Sequence, residues 1–220
     1  MALKQRARKQ EDKQARRDAI LEVAATMLGR REFNSITMAE VARRCGLAKG
    51  TLYLYFGSKE ELFLAALERE LAAWFDALGA QLARGGAIDP DGFGRVVARS
   101  LRERDTLTDL LTILHSVLEH NIDPEAALAF KRMLRDKLVD GGAVLQRVLP
   151  QMPPGGGVRL LIRVHALVVG LRQMADPSPS VAEVLRREEL AVLRVDFEAE
   201  LAAAIAALIR GMATEPANTG

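Results

Sequence analysis

Two helix-start signals with a glycine between them constrain the fold of this chain more than any other feature. Residues 37–40 (TMAE) and 58–61 (SKEE) are both capping boxes, in which Ser or Thr is followed three residues later by Glu. Gly46 lies between them and can supply the left-handed turn that ends a helix. The pattern predicts short helices at about 38–45 and 48–55, joined by a tight turn, and a long helix that begins at about 59.

Composition extends the helical prediction to the whole chain. Ala and Leu, both strong helix formers, dominate the 49% of apolar residues, and long alternating β-branched runs are absent. We therefore expect an all-α protein of about nine helices. The other helices are expected at about 14–31, 90–103, 106–120, 124–148, 157–175 and 189–213, and 180–187 could add a short one.

These elements divide the chain into four segments. Residues 1–13 are polar without an apolar stripe, which predicts a flexible basic arm. Residues 14–60 form a three-helix unit, and the helix from 59 connects it to a larger helical bundle at 61–214. Residues 215–220 are expected to be a disordered tail.

Charge is unevenly distributed along the chain. Residues 1–60 hold 13 Lys and Arg against 7 Asp and Glu, whereas the remainder carries a net charge of −4. A basic end on a slightly acidic protein favours a polyanionic partner at that end. The arm could contact the phosphates or the minor groove of a nucleic acid, or could only be a solvated tail.

Other classes of protein find little support in the sequence. The single cysteine, Cys45, excludes an internal disulfide and fits a reducing cytoplasm, and we expect it to be a buried helix residue. We find no secretory signal, membrane span, metal cluster, P-loop or dinucleotide fingerprint. The nearest acid–base pair is His115 with Glu119, which is not a convincing catalytic arrangement. We therefore expect no enzyme activity, cofactor or membrane association.

Two short helices with a glycine-containing turn are typical of a helix-turn-helix. At roughly 100° per residue, Leu52 and Phe56 share the inner face of the second helix. Gly50 and Leu54 then point most directly outward, and Tyr53 and Tyr55 flank opposite edges. A narrow ridge of this kind can enter a major groove, where the phenols would reach phosphates on both walls. The alternative is that the two rings only cover the edge of the core.

The sequence also resembles the TetR (tetracycline-repressor) family of bacterial transcriptional regulators. The resemblance runs from about Asp18 to Leu71 and rests above all on GTLYLYFGSKEEL at 50–62. It implies that 48–55 is the recognition helix of a DNA-binding domain. It implies base-facing roles for Met38, Ala39, Lys49, Gly50 and Leu54, and phosphate-facing roles for Thr37, Thr51, Tyr53, Tyr55 and Lys59, although Lys49 could serve either role.

For the larger bundle, the resemblance implies an effector-binding and dimerisation domain. Its pocket should be mostly apolar and suit a hydrophobic ligand. The candidate lining residues are Trp74, Phe75, Leu78, Phe93, Leu110, Leu114, His115, Leu118, Phe130, Met133 and His165. The last two long helices should form an isologous dimer interface. Its candidate residues are Leu160, Val164, Leu167, Val168, Leu171, Leu201, Ile205 and Leu208. For both sets, plain core packing is the alternative.

The sequence-based hypothesis is thus a cytoplasmic homodimeric repressor that a small ligand releases from a palindromic double-stranded DNA operator. An effector-independent architectural DNA-binding protein, or an activator of the same fold, remains an alternative.

Overall fold

The computed structural model describes residues 2–28 and 32–214, most of which are helical and none of which forms a β-strand, so the all-α prediction is confirmed. None of the described helices is long and apolar enough to cross a membrane. The described residues form ten α-helices and three other helical segments. The three are a 3₁₀ turn at Phe33–Ser35, a π-helical turn at Leu114–Leu118 and a 3₁₀ helix at Glu188–Leu193. The α-helices are α1 Ala2–Leu28, α2 Met38–Arg44, α3 Lys49–Tyr53, α4 Lys59–Gly85, α5 Pro90–Leu101, α6 Asp105–Ile113, α7 Pro124–Val148, α8 Gly156–Ala175, α9 Pro179–Leu185 and α10 Phe197–Thr214.

The chain forms two compact units, and their division differs from the expected one at 60/61. Unit 1 comprises residues 1–70 and 113–131, and unit 2 comprises residues 71–112 and 132–220. The first boundary therefore lies inside α4. Sequence position could not show that residues 113–131 belong with the N-terminal helices, because that grouping depends on long-range contacts.

Unit 1 has a core made by the apolar stripes of its helices. Phe33 and Phe63 meet edge to face, with ring centroids 5.2 Å apart. Such an arrangement is favoured by the ring quadrupoles. Fully buried side chains from α1, the loop after it, α2, α3 and α4 complete this core, among them Ile20, Met27, Ile36, Val41, Leu52 and Leu67.

Unit 2 is built on close helix pairs. Gly94 of α5 lies against the backbone of Ala202 in α10, and Gly142 of α7 lies against Gly157 of α8. At both crossings a hydrogen stands where any other residue would carry a Cβ, and the helices approach accordingly. Arg102 forms a two-pronged pair with Glu198, which adds a polar tie between the α5 and α10 segments.

The predicted flexible arm is wrong for the part that the structure describes, because α1 begins at Ala2 and continues without interruption to Leu28. Residues 2–13 contain no Gly or Pro and are rich in Ala, Lys, Arg and Gln, which have high helix propensity. The absence of an apolar stripe in this stretch therefore did not indicate an irregular segment. Met1, the predicted helix end at 29–31 and the predicted tail at 215–220 lie outside the described residues.

Three further boundaries differ from expectation. The predicted helix at 106–120 changes at Leu114 from α to π geometry. The predicted helix at 189–213 begins only at Phe197, after a 3₁₀ helix that ends at Leu193. The stretch at 180–187 folds as α9, which brings the described α-helices to ten. Propensity alone does not separate these geometries, since all use similar residues.

Candidate DNA-binding surface

The turn between α2 and α3 has the geometry that its sequence predicts. Gly46 has a φ of +66°, in the left-handed region, and the Leu47 N–H donates to the Ala42 carbonyl at 2.8 Å. At the start of α2 the Glu40 N–H donates to Thr37 Oγ1 at 3.3 Å. At the start of α4 the Glu61 N–H donates to Ser58 Oγ at 3.0 Å. Both capping hydroxyls therefore act as predicted.

The outward side of α3 matches the facing argument. Leu52 and Phe56 are buried, whereas Leu54 is 81% exposed and Tyr53 43% exposed. The flanking ridge residues Lys49 and Gly50 are exposed, and Thr51 and Tyr55 are half-buried. Tyr53 and Leu54 are adjacent and both exposed, and an apolar and aromatic patch on an exposed helix face favours a partner surface.

The two sides of the ridge differ in charge and shape. The Lys49 ammonium lies 5.9 Å from the centroid of the Tyr53 ring, so the cation and the phenol share one edge. On the inner side, the Arg17 guanidinium lies 4.7 Å from the centroid of the Phe56 ring and ties α1 to the residue just after α3. One edge of the ridge is therefore positively charged and aromatic, while the apolar inner side of α3 is held against the core.

The predicted residues at the start of α2 do not all reach the surface. Thr37 and Ala39 are exposed, but Met38 is only 6% exposed, so its predicted base-facing role is contradicted. Val41 and Ala42 follow Met38 by three and four residues and are also buried, so the three side chains share one face of α2. The same spacing in the sequence identifies Met38 as core.

Lys59, predicted to face a phosphate, is instead engaged within unit 1. Its Nζ donates to the Phe33 carbonyl at 3.0 Å and to the Ile36 carbonyl at 3.1 Å. It also lies 4.0 Å from the centroid of the Phe33 ring. Burial lowers the pKa of Lys59, while the nearby Glu60 carboxylate opposes that shift. The ammonium is therefore a structural donor in this structure.

Residues at the start of α4 also bind the backbone of residues 121–123, a contact that sequence analysis missed. Ser58 Oγ donates to the Asn121 carbonyl at 2.8 Å. One oxygen of Glu61 accepts from the Gly57 N–H at 2.8 Å and the other from the Asp123 N–H at 3.0 Å. A capping box uses its Glu on the N-cap N–H, so this carboxylate departs from that pattern. No local signal could reveal the contact, because about 60 residues separate the partners.

The candidate effector residues divide between the two units. Leu114, His115, Leu118 and Phe130 belong to unit 1, and the others to unit 2. The side chain of His115 is 61% exposed, and its Nδ1 lies 3.2 Å from Glu119 Oε2. Phe75, Met133 and His165 are half-buried. The remaining candidates are buried: Trp74, Leu78, Phe93, Leu110, Leu114, Leu118 and Phe130.

Most candidate dimer residues are core residues of unit 2. Five of them are at most 3% exposed and cannot form the surface of an interface: Leu160, Val164, Val168, Leu201 and Ile205. The stripe that sequence analysis assigned to a partner packs within the unit instead. Leu167, Leu171 and Leu208 are half-buried and remain available. Leu167 and Leu208 line an open groove of about 410 Å³, together with Arg163, Ala204, Ala207, Gly211 and Met212.

Replacing Gly50 by Ala is expected to separate stability from DNA binding. A Cβ at Gly50 meets nothing within 4 Å, and the residue is helical, so the change should raise the free energy of unfolding. The expected gain is about 0.5–1 kcal/mol. If the backbone at Gly50 approaches a base, the added methyl should weaken DNA binding by about tenfold, or ~1.4 kcal/mol.

Thermal unfolding and a DNA titration check the two effects of Gly50→Ala. Gly79→Ala is the matched control, since Gly79 is also helical with open space around its Cβ, but lies in unit 2. It should gain similar stability without a change in DNA affinity. Unchanged DNA binding by the Gly50 variant would show that the ridge does not approach the bases at this residue.

Comparisons with known proteins agree with this geometry. The family model for "Bacterial regulatory proteins, tetR family" matches residues 20–66, and that for "Tetracyclin repressor-like, C-terminal domain" matches residues 68–216. Over 61 residues the chain is 41% identical to an uncharacterised helix-turn-helix-type regulator, YfiR, of Bacillus subtilis, covering 28% of this chain and 30% of that one. Over 108 residues it is 30% identical to the repressor KstR of Mycobacterium tuberculosis, covering 46% and 47% respectively. The chain therefore spans less than half the length of these two relatives.

The fold is likewise similar to solved structures. A TetR transcriptional regulator from Rhodococcus sp. RHA1 has a TM-score of 0.53, with 20% identity, 89% of this chain covered and 96% of that one. At this identity the similarity concerns the fold alone.

Proposed function

The chain belongs to the TetR family of bacterial transcriptional regulators, whose members are regulators and not enzymes, and on that basis we propose that it is a sequence-specific repressor. It would act in the cytoplasm as a homodimer on a palindromic operator. The observation that carries this proposal is the outward face of α3, where Leu54 is 81% exposed although Leu52, two residues away, is completely buried. Repression is favoured because KstR, a relative at 30% identity, is a repressor.

The ridge suggests how the operator would be read. Lys49 is the only long polar side chain on α3 that could reach a base, because α3 contains no Arg, Asn or Gln. Leu54 and Ala39 would contact thymine methyl groups, and Gly50 would allow a close backbone approach. DNA shape would supply further specificity. Thr37, Thr51, Tyr53 and Tyr55 would bind phosphates, and the basic helical extension at 2–13 would add to them.

The dimer would form through the groove of α8 and α10. One recognition helix reads few base pairs, and a two-fold dimer matches the symmetry of a palindrome. The exposed groove contains small residues, Ala204, Ala207 and Gly211, that would allow two helix pairs to approach closely. This face replaces the buried stripe that sequence analysis assigned to the interface.

Ala207→Lys is expected to convert the dimer to monomers. Ala207 is exposed in the described chain, so the change should not disturb folding, but in an isologous interface it places two like charges together. Such juxtaposition costs several kcal/mol, so the dimer dissociation constant should rise by at least about 100-fold. Sedimentation velocity measures it, with Ala73→Lys on the exposed side of α4 as control. A dimer that persists in the Ala207 variant would exclude this face.

A small hydrophobic ligand would release the repressor by favouring a conformation in which the recognition helices have the wrong spacing. The apolar character of the candidate lining residues in unit 2, Trp74, Leu78, Phe93 and Leu110, supports this choice of ligand, and half-buried His165 of the same unit would provide a polar anchor. An activator of the same fold would use the same DNA surface. An architectural protein would bind DNA without sequence preference or ligand response.

Selection of bound duplexes from a random DNA pool tests the proposal directly. A palindromic sequence is expected, and repeating the selected binding reaction with a panel of hydrophobic compounds should identify one that releases it. Enrichment without any consensus would favour the architectural alternative. A chain that binds no duplex at low salt would exclude the DNA-binding function itself.

A further inference from the structure

The groups around Lys59 occupy all three N–H directions of its ammonium. Nζ donates to the carbonyls of Phe33 and Ile36, at 3.0 and 3.1 Å, and packs 4.0 Å from the centroid of the Phe33 ring. An ammonium has three protons and no acceptor. Two carbonyls and one aromatic face therefore occupy it, and the residue is half-buried.

The two carbonyls that Lys59 binds bracket the loop leading into α2. The loop is already held by its apolar side chains, since Ile36 is 1% and Phe33 7% exposed. Phe33 O also accepts from the Ile36 N–H at 3.1 Å. Thr37 follows immediately and caps α2 through its side-chain oxygen. The ammonium thus fixes both ends of the segment 33–36 against the first turn of α4.

We propose that Lys59 is a positioning residue of the DNA-binding surface, which orients Thr37 and the amino end of α2, and that it is not a phosphate ligand. This inference rests on the proposed DNA-binding function. It reverses the role that the sequence suggested, in which Lys59 offers its charge to the DNA backbone. The two roles predict different salt dependence, because a cation that enters the groove, whether it meets a base edge or a phosphate, displaces counterions, whereas an ammonium occupied within the protein does not.

Lys59→Met and Lys49→Met form a matched pair for the test. Each is measured with the duplex selected from the random pool, at several salt concentrations and at a temperature where circular dichroism shows the variant folded. Lys49→Met should reduce the salt slope by about 0.9 for each protomer bound. Lys59→Met should weaken binding by about tenfold, the value of one or two hydrogen bonds, with the slope unchanged. A slope reduced as in the Lys49 variant, or an unchanged affinity, would overturn the proposal.

A double-mutant cycle distinguishes positioning from a general loss of stability. If Lys59 acts through Thr37, then Thr37→Ala should weaken DNA binding less in the Lys59→Met background than in the parent chain. The same cycle between Thr37 and Lys49 serves as control and should be additive, since Lys49 lies on α3 and not in the loop. Additivity in the Lys59 cycle would contradict the positioning role.

Two measurements keep the proposal testable if these variants fail. Without DNA, Lys59→Met should lower Tm by about 5 °C and Lys49→Met should not, which tests the loop contact even if the chain binds no duplex. If Lys59→Met does not fold, reductive methylation of the parent chain with and without the selected duplex replaces it. DNA should protect Lys49 several-fold and leave the rate at Lys59 unchanged, and protection of Lys59 would show phosphate contact.

Discussion

A chain with Lys49→Met, Tyr53→Phe and Tyr55→Phe combined should lose DNA binding by about 10²–10³-fold, since each change removes a contact of about 1–1.5 kcal/mol. The reason lies in the geometry of α3. Leu52 and Phe56 hold the ridge to the core, while Lys49 and Tyr53 project from it and Tyr55 lies half-buried at its other edge. Phenylalanine keeps the rings and removes only the hydroxyls. The free energy of unfolding should therefore change by no more than about 0.5 kcal/mol.

The salt dependence of DNA binding, measured by titration, separates the contribution of Lys49 from that of the two hydroxyls. Lys49 should account for a loss of about 0.9 in the slope for each protomer, whereas the two hydroxyls should lower affinity at every salt concentration without altering the slope. Lys137→Met is the charge-matched control, because Lys137 lies in unit 2 and pairs with Asp76 at 2.5 Å. It should leave both quantities unchanged. Operator recognition that survives the triple substitution would mean that α3 is not the element that binds DNA.

Gly94→Ala should be the most destabilising of the single substitutions proposed, by about 3 kcal/mol, because overpacking at a rigid contact forces backbones apart. A Cβ at Gly94 would lie 2.3 Å from the carbonyl oxygen and 3.1 Å from the carbonyl carbon of Ala202. Both partners are helix backbone, so no side-chain rotation can relieve the clash. The α5–α10 pair must separate, although Arg210 and Asp91 join the two helices by an ion pair.

Unfolding of the Gly94 variant can be followed through the only tryptophan of the chain. Trp74 lies in unit 2, is 7% exposed, and donates from Nε1 to Ser100 Oγ at 2.9 Å. Its fluorescence should therefore report the loss of packing around α5, with Tm lowered by about 5–10 °C. Gly79→Ala, where the added Cβ meets open space, should raise stability instead. If both variants proved equally stable, the close approach of α5 and α10 would be wrong.

The DNA-binding half of the protein was predictable because its signals are local. Each capping hydroxyl acts on an N–H three residues away, and Gly46 supplies its own positive φ. The facing of α3 follows from helical rotation once Leu52 and Phe56 are recognised as core. Met38 was misjudged as a base contact, although its spacing to Val41 and Ala42 contained the information needed to place it in the core.

The predictions for the larger bundle failed where they required knowledge of what covers a helix. The stripe of α8 and α10 that includes Val164 and Ile205 is real, but periodicity does not distinguish a stripe that packs within the chain from one that meets a partner. The exposed groove beside this stripe is lined by smaller residues, so its apolar pattern in the sequence is weaker.

The sequence by itself determined the all-α class, the helix-turn-helix and the side of α3 that faces outward, because caps, turns and helical rotation act over a few residues. Tertiary structure alone decided that Lys59 binds two loop carbonyls, that Glu61 joins Gly57 to Asp123, and which faces of α8 and α10 remain uncovered. The physical reason is distance along the chain. The partners of a charged side chain depend on the packing of the whole chain, and Asp123, which binds Glu61, lies 62 residues away in sequence.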